Sequence, residues 1–272
     1  MTEATKATGA QRIADAFARA RSEGRAALMP YMMAGFPDAE TSAAVADAYA
    51  DAGADLVELG VPFSDPLADG PVIHAAATRA LAAGTTLDDA LEICSRISDR
   101  VPVVPMAYAN MILARGARDF AAALAAAGAA GAIVPDLPPE EAGDIAAALH
   151  DVGLALVPLV APTSPPDRMR AICDGAEGFI YVVSDTRVTG ERDELPSRLT
   201  ELVEAVRSCS SVPAAVGFGI GTAEQAAAVG SIADGVIVGT RLVREAGEAS
   251  GPEAAAAAVC DFLASAKTAM TD

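Results

Sequence analysis

GAIVPDLPPEEAGDIAAALHDVGLALVPLV spans residues 131–160. It opens with an apolar run that ends at Pro135 and Asp136. A proline- and glutamate-rich turn follows, then an alanine-rich segment of helical character that stops at Gly153. A second apolar run, LALVPLV, begins at once. Neither run alternates apolar with polar residues, as a strand with one wet face would. Continuously apolar strands joined through a helix indicate parallel strands buried on both faces.

The same unit recurs on either side. LMPYMMA (28–34) precedes AETSAAVADAYADAG, and DLVELG (55–60) precedes a turn-rich stretch and then TLDDALEICSRISD. VPVVPMAY (101–108) precedes ARDFAAALAAAG, and LALVPLVAP (154–162) precedes SPPDRMRAICDG. GFIYVVSD (178–185), VPAAVGFG (212–219) and DGVIVG (234–239) each lead into a further helical segment. Caps are expected at Thr86, at Ser164 and at Thr222, where TAEQ makes a capping box. Glycines 53, 128, 153 and 175 stand where helices should stop. Eight strand–helix units, with an extra helix near residues 8–23, predict an α/β fold, a (β/α)8 barrel, rather than an open doubly wound sheet. No linker divides residues 1–272, so one domain is expected.

Composition narrows the function. Apolar residues make up 52% of the chain, and no run is long enough to span a membrane. The N-terminus lacks a signal-peptide pattern, and a cytoplasmic protein is expected. A net charge of −18 argues against nucleic acid as a partner. Any anionic ligand must be held by local donors such as backbone N–H groups. Cys94, Cys173, Cys209 and Cys260 show neither metal-ligand nor redox spacing and read as structural thiols. His74 and His150 stand apart, and no metal site is expected.

Barrel chemistry sits where strands end. That directs attention to Tyr31, Glu58–Asp69, Tyr108–Asn110, Asp136, Tyr181–Gly190, Gly217–Gly221 and Gly239–Thr240. VTG (188–190), VGFGIG (216–221) and GT (239–240) lie in the last three loops, the final one opening a short helix. Glycine admits close approach of backbone N–H groups to an anion, and a helix N-terminus supplies unpaired donors. Each loop alone reads as a turn; their convergence reads as a phosphate cradle. GxGxG lacks the spacing of a dinucleotide fingerprint.

The stretch ELGVPFSDPLADGP (58–71) carries three acids. Asp65 and Asp69 taken singly fit turn chemistry. Glu58 lies inside an apolar strand, where a carboxylate is costly unless paired or functional. Leu56 and Glu58 share a strand face, so Glu58 should point to the barrel mouth, with a raised pKa suited to proton transfer. Tyr31, Met106, Tyr181 and Phe218 should line that mouth. The ligand expected is a phosphorylated compound with a flat apolar part.

LVELGVPFSDPLADGP resembles the signature of the tryptophan synthase alpha subunit family. MPYMMAGFP, YAN (108–110), DLPPEE (136–141), VTG, GFGI (217–220) and VGT (238–240) follow in the family's order. The resemblance implies retro-aldol cleavage of indole-3-glycerol phosphate to indole and glyceraldehyde 3-phosphate. It implies that Glu58 is the general acid/base and that Asp69 accepts a hydrogen bond from the indole N–H. Tyr181 would lie near the indole and Phe218 on its ring. Gly190, Gly219, Gly239 and Thr240 would hold the phosphate, and Thr189 would sit on a closing loop. The family implies an α2β2 complex, with Pro62, Asp65, Asn110 and Pro138 facing the beta subunit. Pyridoxal phosphate would belong to that partner, and no cofactor is expected in this chain.

Three positions depart from the family pattern. Arg187 stands where Gly usually precedes VTG, His74 replaces a common Gln, and Thr240 replaces Ser. Arg187 favours one rival, a stand-alone lyase that releases free indole. Two others are a non-catalytic barrel that activates a partner and another phosphosugar enzyme with the same cradle.

Overall fold

The computed structural model describes residues 7–184, 198–217 and 219–271. Arg187, Thr189, Gly190 and Phe218 lie outside the described residues. The strands are β1 (Ala27–Met33), β2 (Val57–Gly60), β3 (Val103–Met106), β4 (Gly131–Ile133), β5 (Ala155–Val157), β6 (Leu159–Val160), β7 (Ile180–Val183), β8 (Ala214–Gly217) and β9 (Gly235–Val238). The sheet order is β5-β4-β3-β2-β1-β9-β8-β7-β6, with parallel pairing throughout the described residues. The two ends of that order, β5 and β6, are consecutive in the chain and flank Pro158. They are one barrel stave that the sequence reads as a single strand. Proline lacks the N–H that the ladder needs and splits it, while its carbonyl still accepts from Tyr181 N–H at 2.9 Å. Eight staves therefore close the barrel.

The helices are α1 (Gly9–Ser22), α2 (Ala39–Asp51), α3 (Pro71–Ala82), α4 (Leu87–Ile97), α5 (Ala109–Arg115), α6 (Ala117–Ala126), α7 (Gly143–Asp151), α8 (Pro166–Cys173), α9 (Leu199–Cys209), α10 (Ala223–Gly230), α11 (Thr240–Glu248) and α12 (Pro252–Thr271). The four expected helix stops hold: glycines 53, 128, 153 and 175 have φ of 71°, 75°, 77° and 73°. Thr222 and Gln225 form the expected capping box, and Thr86 forms a second with Asp89. Ser164 is not a cap. Its hydroxyl accepts from Ala161 N–H, and α8 starts from Pro165 without a side-chain cap. Two helices, α3 and α5, go beyond the sequence reading. In α3, Pro71 opens the first turn, where a missing N–H costs nothing, and Ile73, Ala76, Ala77 and Ala80 form the buried face.

Strand alternation sorts the core into two regions. Leu28, Val57, Leu59, Val103, Val182 and Val216 point outward against the helices. Met29, Leu56, Val104, Ile133, Val157, Phe179 and Ile237 fill the barrel interior. The extra N-terminal helix is α1, which closes the base with Ile13, Phe17 and Ala20. The Phe17 and Phe179 ring centroids lie 5.8 Å apart. Each such buried side chain contributes about 1.5–3 kcal/mol.

The cysteines need a correction. Cys94 is a buried free thiol and Cys260 a half-buried one, but Cys173 and Cys209 form a disulfide between the C-terminal ends of α8 and α9. Their sequence separation of 36 residues hides a Cα–Cα distance of 5.9 Å.

Candidate active site

Inward-pointing positions reach the mouth on neighbouring staves. Tyr31 on β1 is in register with Glu58 on β2, and Gly60 with Met106 on β3. Tyr181 enters from β7. These side chains, with Asp69, Gly219, Gly239 and Thr240, line a cavity of about 960 Å³. The cavity also runs along Leu156, Pro158 and Ile172 between α7 and α8.

Glu58 is 1% exposed, and neither carboxylate oxygen has a hydrogen-bond partner among the described residues. Burial raises its pKa from 4.5 to about 8, and the nearby Asp69 charge pushes the same way. Asp69 is in a different situation. It is half-buried, and its Oδ1 accepts from the Tyr108 hydroxyl at 2.9 Å. Burial raises its pKa as well, while the Tyr108 hydrogen bond and His74 oppose that rise. So Glu58 holds a proton at neutral pH more readily than its neighbour does. Two carboxylates with separated environments can take separate tasks.

The tyrosines depend on glycines. A Cβ at residue 60 would come within 2.0 Å of the Tyr31 hydroxyl oxygen. One at residue 217 would come within 2.2 Å of the Tyr181 hydroxyl oxygen. Burial drives both phenol pKa values well above 10, and the Glu58 and Asp69 charges add to it, so both hydroxyls stay protonated. Gly217→Ala is expected to push Tyr181 into the mouth. Overpacking of this kind costs about 1–3 kcal/mol. A raised KM and a lowered melting temperature, measured together, would show it; unchanged values of both would refute it.

VGFGIG thus splits into three tasks. Gly217 makes room for Tyr181. Gly221 donates its N–H to Gln225 Oε1 at 2.7 Å and so serves the α10 cap. Gly219, with φ of 82°, remains at the cavity wall. On the neighbouring stave Gly239 opens α11, whose first backbone bond is Val243 N–H to Gly239 O at 3.0 Å. The first turn of a helix presents N–H groups that the helix itself does not use. Thr240 is buried there. Gly219, Gly239 and Thr240 are therefore brought together, as expected. Thr189, Gly190 and Phe218 fall outside the described residues.

Asp136 is a loop anchor. Its Oδ1 accepts from Ala109 N–H at 2.8 Å and fixes the start of α5. Asp65 and Asn110 are exposed and Pro138 half-exposed, whereas Pro62 is buried. Tyr108 appeared in the sequence reading as a strand-end residue and as part of the YAN motif, with no role of its own. Its contact with Asp69 joins residues 39 apart and leaves no local signal. Among the described residues no cluster of His, Cys, Asp or Glu could hold a metal, and no helix is long and apolar enough to cross a membrane.

A buried acid with no hydrogen-bond partner among the described residues, set at a barrel mouth that also carries a helix N-terminus, leaves several kinds of barrel enzyme as candidates. Comparison with known proteins narrows them further. Residues 17–271 match the family model described as tryptophan synthase alpha chain. The chain belongs to the tryptophan synthase alpha chain family. It is 51% identical to the alpha chain of Synechococcus elongatus over 234 residues, covering 85% of this chain and 88% of that one. With the alpha chain of Thermosynechococcus vestitus the identity is 45% over 262 residues, covering 95% and 97%. Among solved structures, Mycobacterium tuberculosis tryptophan synthase matches with a TM-score of 0.89 and 38% identity, over 98% of this chain and all (100%) of that one. The eight-stave barrel is thus the fold of this family's alpha chains.

Proposed function

We propose that Glu58 and Asp69 divide the acid–base work of the alpha reaction in this chain. The reaction is that of the family, a carbon–carbon lyase step. Indole-3-glycerol phosphate is cleaved to indole and glyceraldehyde 3-phosphate. The bond to the aromatic carbon breaks once that carbon is protonated. Glu58, protonated at neutral pH, delivers that proton to indole C3 and takes up the proton of the side-chain hydroxyl. Asp69 accepts from the indole N–H and stabilises the cationic ring. Tyr31, Met106, Tyr181 and Phe218 enclose the indole. Gly190, Gly219, Gly239 and Thr240 hold the phosphate, with Thr189 on the loop that closes the site. The observation that carries this reading is the Glu58 carboxylate, buried at the mouth with neither oxygen hydrogen-bonded to a described residue. A group so placed costs several kcal/mol unless substrate completes it.

The partner in this reading is a beta subunit in an α2β2 complex. It would seat on the mouth side, where Asp65 and Asn110 are exposed. Leu67, on the same loop as Asp65, is 81% exposed, and Leu113, on α5 with Asn110, is 68% exposed, apolar surface suited to an interface. Pyridoxal phosphate would belong to the partner, and this chain would carry no cofactor. Residues 1–272 would act as one domain in the cytoplasm. Indole release assayed with and without beta subunit tests the partnership. Turnover should rise at least about tenfold on adding the partner, the equivalent of 1.4 kcal/mol. Full activity in the isolated chain would favour the stand-alone lyase.

A further inference from the structure

The loop between β2 and α3 carries Asp69, and its ends are held by Val61 N–H to Met106 O at 2.9 Å and His74 N–H to Gly70 O at 2.8 Å. Among the described residues, Pro62–Asp69 makes two hydrogen bonds to the rest of the chain, and both use one atom. The Tyr108 hydroxyl donates to Asp69 Oδ1 at 2.9 Å and accepts from Ala68 N–H at 3.2 Å. The ring below that hydroxyl is buried and stacks on Phe63, with centroids 5.0 Å apart and planes inclined by 24°. Phe63 belongs to the turn that holds Pro62 and Asp65. Tyr108 itself is fixed where β3 passes into α5.

We propose that Tyr108 is the positioning residue for Asp69. Its hydroxyl holds one carboxylate oxygen and leaves the other, Oδ2, directed to the substrate nitrogen. A carboxylate on a loop otherwise samples several rotamers, and a charge-assisted hydrogen bond restricts it to one. The phenol suits the task because burial and the Asp69 charge keep it protonated, hence a donor. The Phe63 stack extends the same restraint to the outward turn. A partner that shifts the turn would thereby shift Asp69. This inference rests on the assignment of Asp69 as the indole-nitrogen acceptor.

The test is a double-mutant cycle on indole release, run with the complete chain and beta subunit. The variants are Tyr108→Phe, Asp69→Asn and both together. Tyr108→Phe keeps the stack and removes only the hydroxyl. It should lower kcat about tenfold, the worth of one hydrogen bond to a charged group, with KM changed far less. Asp69→Asn should lower kcat further, and the double variant should match Asp69→Asn to within about twofold, since both changes break one linked unit. The hydrogen bond holds the Asp69 pKa down, so its loss should move the acid limb of the kcat profile to higher pH. Glu58, Tyr31, Tyr181 and His74, which share that field, are unchanged in the variant. Wild-type kcat in Tyr108→Phe, or losses that multiply in the double variant, would overturn the proposal while leaving Asp69 in its role. An unimpaired Asp69→Asn would remove the assignment itself and the proposal with it.

Discussion

Glu58→Gln should nearly abolish indole release and at the same time make the protein more stable. The first effect follows from loss of the proton that breaks the carbon–carbon bond. A positioned general acid contributes about 10²–10⁴ in rate, and kcat should fall by that factor. The second follows from linkage. The folded-state pKa of Glu58 is about 8, above the 4.5 of the free side chain. The folded protein therefore binds this proton more tightly than the unfolded chain does. Stability from that difference is complete below about pH 4.5 and is lost as pH rises through about 8. At pH 7 the loss amounts to about 3 kcal/mol. Glutamine removes the titration, so the variant's melting temperature should exceed that of the parent, with a gap that widens from pH 5 to pH 9 by several degrees. The parent's turnover should fall on the alkaline side near pH 8, where the acid form disappears. Calorimetry across pH beside an indole assay measures all of this. Retained turnover would sink the role of Glu58; parallel stability curves would sink its raised pKa.

How much of this could be read from the sequence depends on the range of the interaction. The four helix-stopping glycines, the Thr222 box and the inward direction of Glu58 are local, set by backbone conformation and strand period, and they are where the sequence puts them. Helix α3 was obscured because its buried face is mostly alanine, which gives little contrast with the exposed face. Proline at 158 sits mid-run in LALVPLV, and a lost ladder N–H is invisible in an apolar pattern. The three glycines of VGFGIG are alike in one dimension. They separate only when Tyr181 and Gln225 are present as neighbours. The disulfide between Cys173 and Cys209 and the hydrogen bond from Tyr108 to Asp69 are tertiary. No spacing rule finds either. Gly219, Gly239 and Thr240 were legible as a group because separate loops of a recognisable barrel end at one mouth, and the structure lines one cavity with them.

DLVELG itself holds two acids, and the sequence singles out one. Asp55 and Glu58 are both 1% exposed, yet their surroundings are opposite. Asp55 lies toward the barrel base. Its Oδ1 accepts from Arg25 Nη2 at 3.0 Å, and its Oδ2 accepts from Arg25 Nη1 and from Leu28 N–H at 2.8 Å. Arg25 is 5% exposed on its side chain. The run therefore has a fully satisfied acid at one end and, among the described residues, an unsatisfied one at the other, and satisfaction is what separates structure from chemistry here. Asp55→Ala should be the most damaging single change for stability. It leaves the Arg25 guanidinium with only Glu23 and the Ala26 carbonyl as partners and Leu28 N–H without its carboxylate, and breaking a buried pair from one side costs about 3–5 kcal/mol. Denaturant unfolding should show a midpoint shift of that size. Adding Arg25→Met to Asp55→Ala should recover much of the loss, because an absent pair costs far less than half of one. Below its unfolding transition the Asp55→Ala protein should retain kcat near the parent value, since the mouth is built from the other ends of the strands. A large fall in kcat at full folding would show that the base and the mouth are coupled through β2. No recovery in the double variant would mean that Asp55 matters through the Leu28 backbone rather than through Arg25.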